Sequence, residues 1–273
     1  MLVRAFAKIN LSLRVLGTRS DGYHELRTVF QSIALHDTLT ITRTRDRFAF
    51  SCDDPGCPPD RENLVWRAAH QIWSAANRRG ALRGVSVHLA KRIPMQAGLG
   101  GGSSDAAAAI RAFGQMWNVP VADQRRIGAG LGADVPYFFE GGTALGVDRG
   151  DRVERLSDRK PAWVVLVLPA FGISTQQAFA WWDLDRPSRS KRRNDLESPV
   201  ARRHPEIARL VRRLKAVGAA DAAMTGSGST VFGLFSRQKT ALDAASGLFL
   251  TGHRTVVTRT IGRRSYQRQL AAK

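Results

Sequence analysis

The segment Pro94-Met95-Gln96-Ala97-Gly98-Leu99-Gly100-Gly101-Gly102-Ser103-Ser104-Asp105 runs straight into Ala106-Ala107-Ala108-Ala109-Ile110, and no other stretch constrains the chain as much. Glycine reaches positive φ and lets a backbone approach an anion where a side chain would stand in the way. The alanines that follow are strong helix formers. A helix starting here leaves its first amides without intrahelical acceptors, with the positive end of its dipole behind them. That arrangement holds phosphate. Ser103 and Ser104 add hydroxyls that can cap the helix, touch phosphate or meet a metal bound to it. Upstream, Val85-Ser86-Val87-His88-Leu89 alternates as a strand does. The loop is not a Walker A sequence, because no Gly-Lys-Ser/Thr follows, and its contiguous glycines do not make a dinucleotide fingerprint. On glycine content alone, a flexible turn would account for it equally well.

The chain has 273 residues, of which 43% are apolar and 24% charged. This is enough for two ordinary domains and argues against general disorder. No run approaches the roughly 20 apolar residues needed to span a bilayer; Trp163 to Leu168 ends at Pro169. Arg4, Lys8, Asn10 and Arg14 interrupt any apolar signal core, so a soluble cytoplasmic protein without a membrane partner is expected. The two cysteines, Cys52 and Cys57, flank a turn-like Asp53-Asp54-Pro55-Gly56. Without a second pair they cannot complete a zinc site, and reduced thiols are expected. The net charge of +19 attracts anions, nucleic acid at low salt included. The excess is dispersed in short clusters such as Arg78-Arg79 and Lys191-Arg192-Arg193, which reads as solvated surface rather than a specific nucleic-acid site.

The pattern predicts strands over Val3 to Ala7, Leu11 to Leu16, Arg27 to Ala34, Asp37 to Thr42 and Phe48 to Ser51. A helix follows from Asn63 to Ala76, with Leu64, Ala68 and Ile72 at helical spacing and Asn63 as its cap. After the glycine loop come helices over Ser103 to Met116 and Ala122 to Leu131, then strands at Tyr137-Phe138-Phe139 and Thr143 to Val147. A charged stretch from Arg149 to Lys160 suggests a division into residues 1–152 and 153–273. Beyond it the order is a strand over Ala162 to Leu168, a helix from Ser174 to Trp182, a loop from Asp183 to Asp195, a helix from Glu206 to Val217, strands Ala222 to Thr225 and Thr230 to Phe235, a helix from Gln238 to Phe249, and a strand from Arg254 to Ile261. This β-α-α-β-β-α-β order resembles a ferredoxin-like unit.

Pro94 through Ala107 resembles the phosphate-binding motif of the GHMP kinases. Three further segments match in the family's order: Ala7-Lys8-Ile9-Asn10-Leu11 with Arg19-Ser20-Asp21-Gly22-Tyr23-His24; Leu131-Gly132-Ala133-Asp134-Val135-Pro136-Tyr137-Phe138; and Met224-Thr225-Gly226-Ser227-Gly228-Ser229-Thr230-Val231-Phe232. The resemblance implies an α+β, two-domain architecture: a ribosomal-protein-like N-terminal domain, a ferredoxin-like C-terminal domain, and an active site in the cleft between them. Within the family, the first and third motifs are similar to those of the branch whose acceptor carries a cytidine diphosphate group. The implied reaction is ATP-dependent phosphorylation of the 2-hydroxyl of 4-diphosphocytidyl-2-C-methyl-D-erythritol, on the non-mevalonate route to isoprenoid precursors, with Mg²⁺ carried on ATP and no separate metal site.

Phosphoryl transfer is mostly positioning and charge stabilisation. By the resemblance, Asp134 takes the acceptor's proton and Lys8 faces Asp134 and the acceptor oxygen. Asn10, two residues on and on the same strand face, would hydrogen-bond substrate. Tyr23 and Phe179 would sandwich the cytosine, with His24 reading its polar edge and Thr175 beside Phe179. ATP would lie on Pro94, Met95, Gln96, Ala97, Gly98, Leu99, Gly100, Gly101, Gly102, Ser103 and Ser104, with Asn63, Leu64 and Lys91 around adenine. Read without the resemblance, Asp134 is a turn residue or helix cap, Lys8 a solvated lysine, Asn63 a cap, Leu64 a core leucine and Lys91 a surface lysine. Asp105 departs from the asparagine of many relatives, which bears on capping more than on chemistry. Two other functions stay open: a GHMP kinase of mevalonate or homoserine type, and a basic RNA-binding protein.

Overall fold

The computed structural model describes residues 1–185, 192–249 and 253–272. Two long strands lead, β1 (Leu2–Thr18) and β2 (His24–Arg47), where four shorter ones were expected. Neither contains a proline, and β-bulges absorb the irregularities instead. The β1–β2 register shifts between Phe6 and Lys8, between Asn10 and Ser12, and between Val15 and Gly17. A bulge turns the side chains beyond it to the opposite face. Ala5, before the first shift, packs in the core under the helices, whereas Ala7, Ile9 and Leu11 pack against the second sheet. The shift therefore brings Lys8 and Asn10 round to the helix side.

The first sheet adds β3 (Ala49–Cys52), β4 (Arg83–Ala90), β5 (Thr143–Val147) and β6 (Arg152–Arg155). Its order is β11-β1-β2-β4-β3, with β5 on β2 and β6 on β5; β11 is Ala271–Ala272. Helices α1 (Leu64–Ala75), α2 (Gly101–Met116), α3 (Val121–Leu131) and α4 (Val135–Glu140) share its core. The alanines of α2 are nearly all inaccessible; small side chains let this helix sit in the centre of the layer. α4 corrects the strand expected at Tyr137 to Phe139. Pro136 fits the first helical turn, and Gly141 at φ 65° ends the helix after Glu140. The three aromatics are buried, so alternation could not reveal the period.

β7 (Trp163–Leu168), β8 (Asp221–Met224), β9 (Val231–Phe235) and β10 (Arg254–Arg259) form an antiparallel sheet ordered β10-β7-β9-β8. With α5 (Thr175–Asp185), α7 (Pro205–Ala216) and α8 (Gln238–Phe249) this is the expected ferredoxin-like connectivity, supplemented by α6 (Glu197–Arg203). Residues 186–191, within the loop expected from Asp183 to Asp195, lie outside the described residues. β7 is apolar without interruption because both faces are covered: Val165 and Val167 meet the helices, Val164 and Leu166 the first sheet. The chain then returns. α9 (Arg263–Leu270) and β11 pack on β1, and β6 carries the first sheet past residue 152. Among the described residues, no helix is long and apolar enough to cross a membrane. Cys52 and Cys57 are free thiols.

Candidate active site

A cleft of about 650 Å³ runs along the N-terminus of α2, between the first sheet and the loops of the second. All of Pro94 through Ser103 line it. The loop is held open by backbone that only glycine tolerates. Gly98 has φ +73°, and a β-carbon there would collide with the Thr225 carbonyl oxygen. Gly100, at φ +71°, supplies the N-cap position with no side chain, and its missing Cβ leaves room for Phe138 and the Lys8 chain. The first intrahelical bond runs from the Ser104 amide to Gly100 O at 2.9 Å, so the amides before it lack intrahelical acceptors and remain for an anion. The two serines divide their duties. Ser103 lines the cleft. Ser104 is 2% exposed and its hydroxyl donates to Phe6 O at 2.7 Å, so it ties α2 to β1 and, unlike Ser103, is not among the residues that line the cleft.

Lys8 and Asp134 meet above this helix end, with Nζ 3.2 Å from the carboxylate. The Lys8 amide donates to Leu99 O at 3.0 Å, which fixes β1 against the loop. Lys8 is buried, while the Asp134 side chain is 31% exposed and so open to an acceptor. Asp134 does occupy the N-cap position of α4, but its side chain caps nothing and is left for the ammonium. Asn10 Oδ1 accepts from Lys8 Nζ at 2.7 Å and its amide donates to Thr28 Oγ1 at 2.7 Å. Asn10 thus orients Lys8, and it also lines the cleft in which a substrate contact is expected of it.

Asn63, Leu64 and Lys91, expected around adenine, all line the cleft, and two of them also carry architectural bonds. Asn63 Oδ1 caps α1 through the Val65 amide at 2.8 Å, and its Nδ2 donates to Cys57 Sγ and Pro58 O. Lys91 is no surface residue: its ammonium lies 2.5 Å from Asp37 and 2.8 Å from Asp105, all three side chains buried. Burial alone would lower the Lys91 pKa, but the two carboxylates more than offset it and hold it above its ordinary value. Burial, with Asp37 alongside, pushes the Asp105 carboxyl up to about 7 against the pull of Lys91. Asp105 Oδ1 has no hydrogen-bond partner. Leu64 keeps an open apolar face.

At the far end of the cleft stand Thr175, Phe179 and Arg149. Phe179 stacks on His24 with ring centroids 4.6 Å apart, and His24 Nε2 lies 2.8 Å from Asp183. Tyr23 is 57% exposed, with the Arg149 guanidinium 5.1 Å above its ring. One face of Phe179 is thus covered by the imidazole, since an aromatic face seeks cover. Sequence reasoning overlooked Arg149, which lacked a motif, and assigned no role to Gly226 and Ser227, which also line the cleft; the C-terminal glycine loop was their signal. Among the described residues, no group of three His, Cys, Asp or Glu side chains is placed to hold a metal ion.

Residues 63–142 match the family described as GHMP kinases N terminal domain, and residues 182–251 that described as GHMP kinases C terminal. The 4-diphosphocytidyl-2-C-methyl-D-erythritol kinase of Moorella thermoacetica is 41% identical, over 94% of this chain and 98% of its own. The protein of the same name from Pelotomaculum thermopropionicum is 39% identical, over 95% and 98%. A crystal structure of 4-(cytidine 5'-diphospho)-2C-methyl-D-erythritol kinase superposes with a TM-score of 0.83 at 34% identity, covering 96% of this chain and all of that one. Mevalonate kinase from Methanococcus jannaschii, at 14% identity and a TM-score of 0.70, shares the fold. Similarity at this level over nearly the full length places the chain in the 4-diphosphocytidyl-2-C-methyl-D-erythritol kinase family of GHMP kinases, as an ATP-dependent small-molecule kinase.

Proposed function

We propose that this kinase transfers the γ-phosphoryl group of ATP to the 2-hydroxyl of 4-diphosphocytidyl-2-C-methyl-D-erythritol, with Asp134 as base and Lys8 as its electrostatic partner. The observation that carries the reading is the Lys8–Asp134 pair at 3.2 Å, directly above the N-terminus of α2. ATP's phosphates lie on the amides of the glycine loop, and adenine lies against Leu64. The acceptor enters from the Phe179 end. Its hydroxyl proton passes to the Asp134 carboxylate as the oxygen attacks the γ-phosphorus. The bond from that phosphorus to the β–γ bridging oxygen breaks, and ADP departs. A positioned base contributes roughly 10²–10⁴ in rate. The Lys8 ammonium, buried and held by Asn10 before transfer, stabilises charge on the transferring group.

Mg²⁺ keeps several waters and favours phosphate oxygens, which suits a site with no multi-carboxylate cage among the described residues. The Ser103 hydroxyl and the Asp134 carboxylate, which both line the cleft, are side-chain oxygens that would meet it. The cytosine stacks on Phe179, whose other face rests on His24, and Tyr23 closes over it by leaving Arg149. Incubation with MgATP and the cytidylyl acceptor is expected to give one monophosphate, located on the 2-hydroxyl by phosphorus–proton coupling in NMR. Equal turnover of methylerythritol phosphate lacking the cytidyl group would overturn the assignment and favour another GHMP kinase.

A further inference from the structure

Thr225 follows β8 and opens the C-terminal glycine loop. It is wholly buried. Its backbone is tightly held: its amide donates to Thr230 O at 3.0 Å, and its carbonyl accepts from the Gly228 amide at 3.0 Å. Asn194 Nδ2 braces the loop from behind through Met224 O at 2.9 Å and Gly226 O at 2.8 Å. So fixed, the Thr225 hydroxyl sits where three parts of the site converge. It accepts from the Asn10 amide at 3.0 Å, beside the β1 bulge. It lies 3.2 Å from Gly98 O in the nucleotide loop and 3.3 Å from Asn10 Oδ1, the atom that holds the Lys8 ammonium.

A hydroxyl has one hydrogen to give, and here two acceptors compete for it. With Lys8 on Asn10, the Asn10 oxygen has a donor and the Thr225 hydrogen serves Gly98 O. When Lys8 turns toward a transferring phosphoryl group, the buried Asn10 oxygen loses that donor. An unpaired buried acceptor is costly, which would oppose the movement of Lys8. We propose that Thr225 is a positioning residue for phosphoryl transfer: by rotation about its Cβ–Oγ bond, its hydroxyl hydrogen passes from Gly98 O to Asn10 Oδ1 and so releases Lys8 to the reaction. No covalent bond changes. The nucleotide loop and the lysine are thereby coupled through a side chain of the second half of the chain. This rests on the reading of Lys8 as the electrostatic partner.

The test is a kinetic and thermal comparison of Thr225→Val, Thr225→Ser and Lys8→Ala, singly and with Val combined with Lys8→Ala. Thr225→Val is expected to lower kcat about tenfold, the equivalent of one hydrogen bond, with less than a threefold change in KM for ATP. Thr225→Ser, which keeps the hydroxyl, is expected to stay within about twofold of the parent. In the Lys8→Ala background the valine is expected to lower the melting temperature as before but to cause no further loss of kcat. A valine effect on kcat that persists in that background, or a serine variant as slow as the valine one, overturns the proposal. Near-normal turnover of Lys8→Ala would instead remove the reading of Lys8 itself. If the valine protein does not fold, Thr225→Ala takes its place with the same expected pattern.

Discussion

Asp37, Lys91 and Asp105 put two carboxylates and one ammonium where water does not reach. Asp37 also accepts from the amides of Arg92 and Ile93, so the cluster sets the path of the chain into the glycine loop. Asp105 is its strained member, with one oxygen unpartnered and its carboxyl pushed up to about 7. An acid whose folded pKa lies above its unfolded value, near 3.9, holds its proton longer in the folded state. Its contribution to stability is complete below pH 4 and is lost as pH rises through 7. Asp105→Asn removes that loss. Its melting temperature is expected to exceed the parent's at pH 8, with the difference shrinking toward pH 5; identical melting at both pH values would refute the burial argument. Phe179 and Tyr23 carry a different prediction. Base stacking is worth about 1–3 kcal/mol, so alanine at either should weaken acceptor binding about tenfold and leave ATP binding unchanged. Tyr23→Phe should retain most of the affinity. A loss of ATP affinity in these variants, read by titration calorimetry, would place the base of ATP and not of the acceptor at that end of the cleft.

The glycine loop was legible because its constraint is local: contiguous glycines before an alanine helix dictate a backbone, whatever packs around it. The partners of that backbone are distant in sequence and were not legible. Gly100 shows the consequence. A β-carbon there would press on Phe138 at 2.9 Å and on the Lys8 chain at 3.1 Å. Gly100→Ala is therefore expected to lower kcat more than it raises KM for ATP, because the lysine is displaced along with the phosphate. A pure rise in KM would show that Lys8 tolerates the shift. α1 makes a matching case. Asn63 reads as a cap in sequence and is one, and Asn63→Ala should cost about 1 kcal/mol, a fall of roughly 2–4 °C in Tm for a chain of this size. Its second duty, the bonds to Cys57 and Pro58 that shape this wall of the cleft, involves a loop whose approach no local pattern announces. α4 was misread because three consecutive buried aromatics erase the period that separates helix from strand.

At the scale of the molecule, the site exists because two sheets pack face to face through Ala7, Ile9 and Leu11 against Val164, Leu166 and Phe232. That contact holds β1 fixed while its other face carries Lys8 and Asn10. The order of the elements in the second sheet's unit could be read along the chain, and with it the ferredoxin-like connectivity. The bulge that turns Lys8 inward could not, because register is a property of two strands. Nor could the return of α9 and β11 to the first sheet, which depends on Tyr266 and Leu270 finding Phe6. What this framework produces is the Lys8–Asp134 ion pair set over the glycine loop, and its proposed part in the chemistry is open to a direct measurement. Single-turnover transfer from ATP to the cytidylyl acceptor is to be timed in Asp134→Asn, with ATP affinity measured alongside. The account predicts a rate at least a hundredfold below the parent's with ATP binding essentially unchanged; a rate near the parent's would contradict it and remove Asp134 as the base.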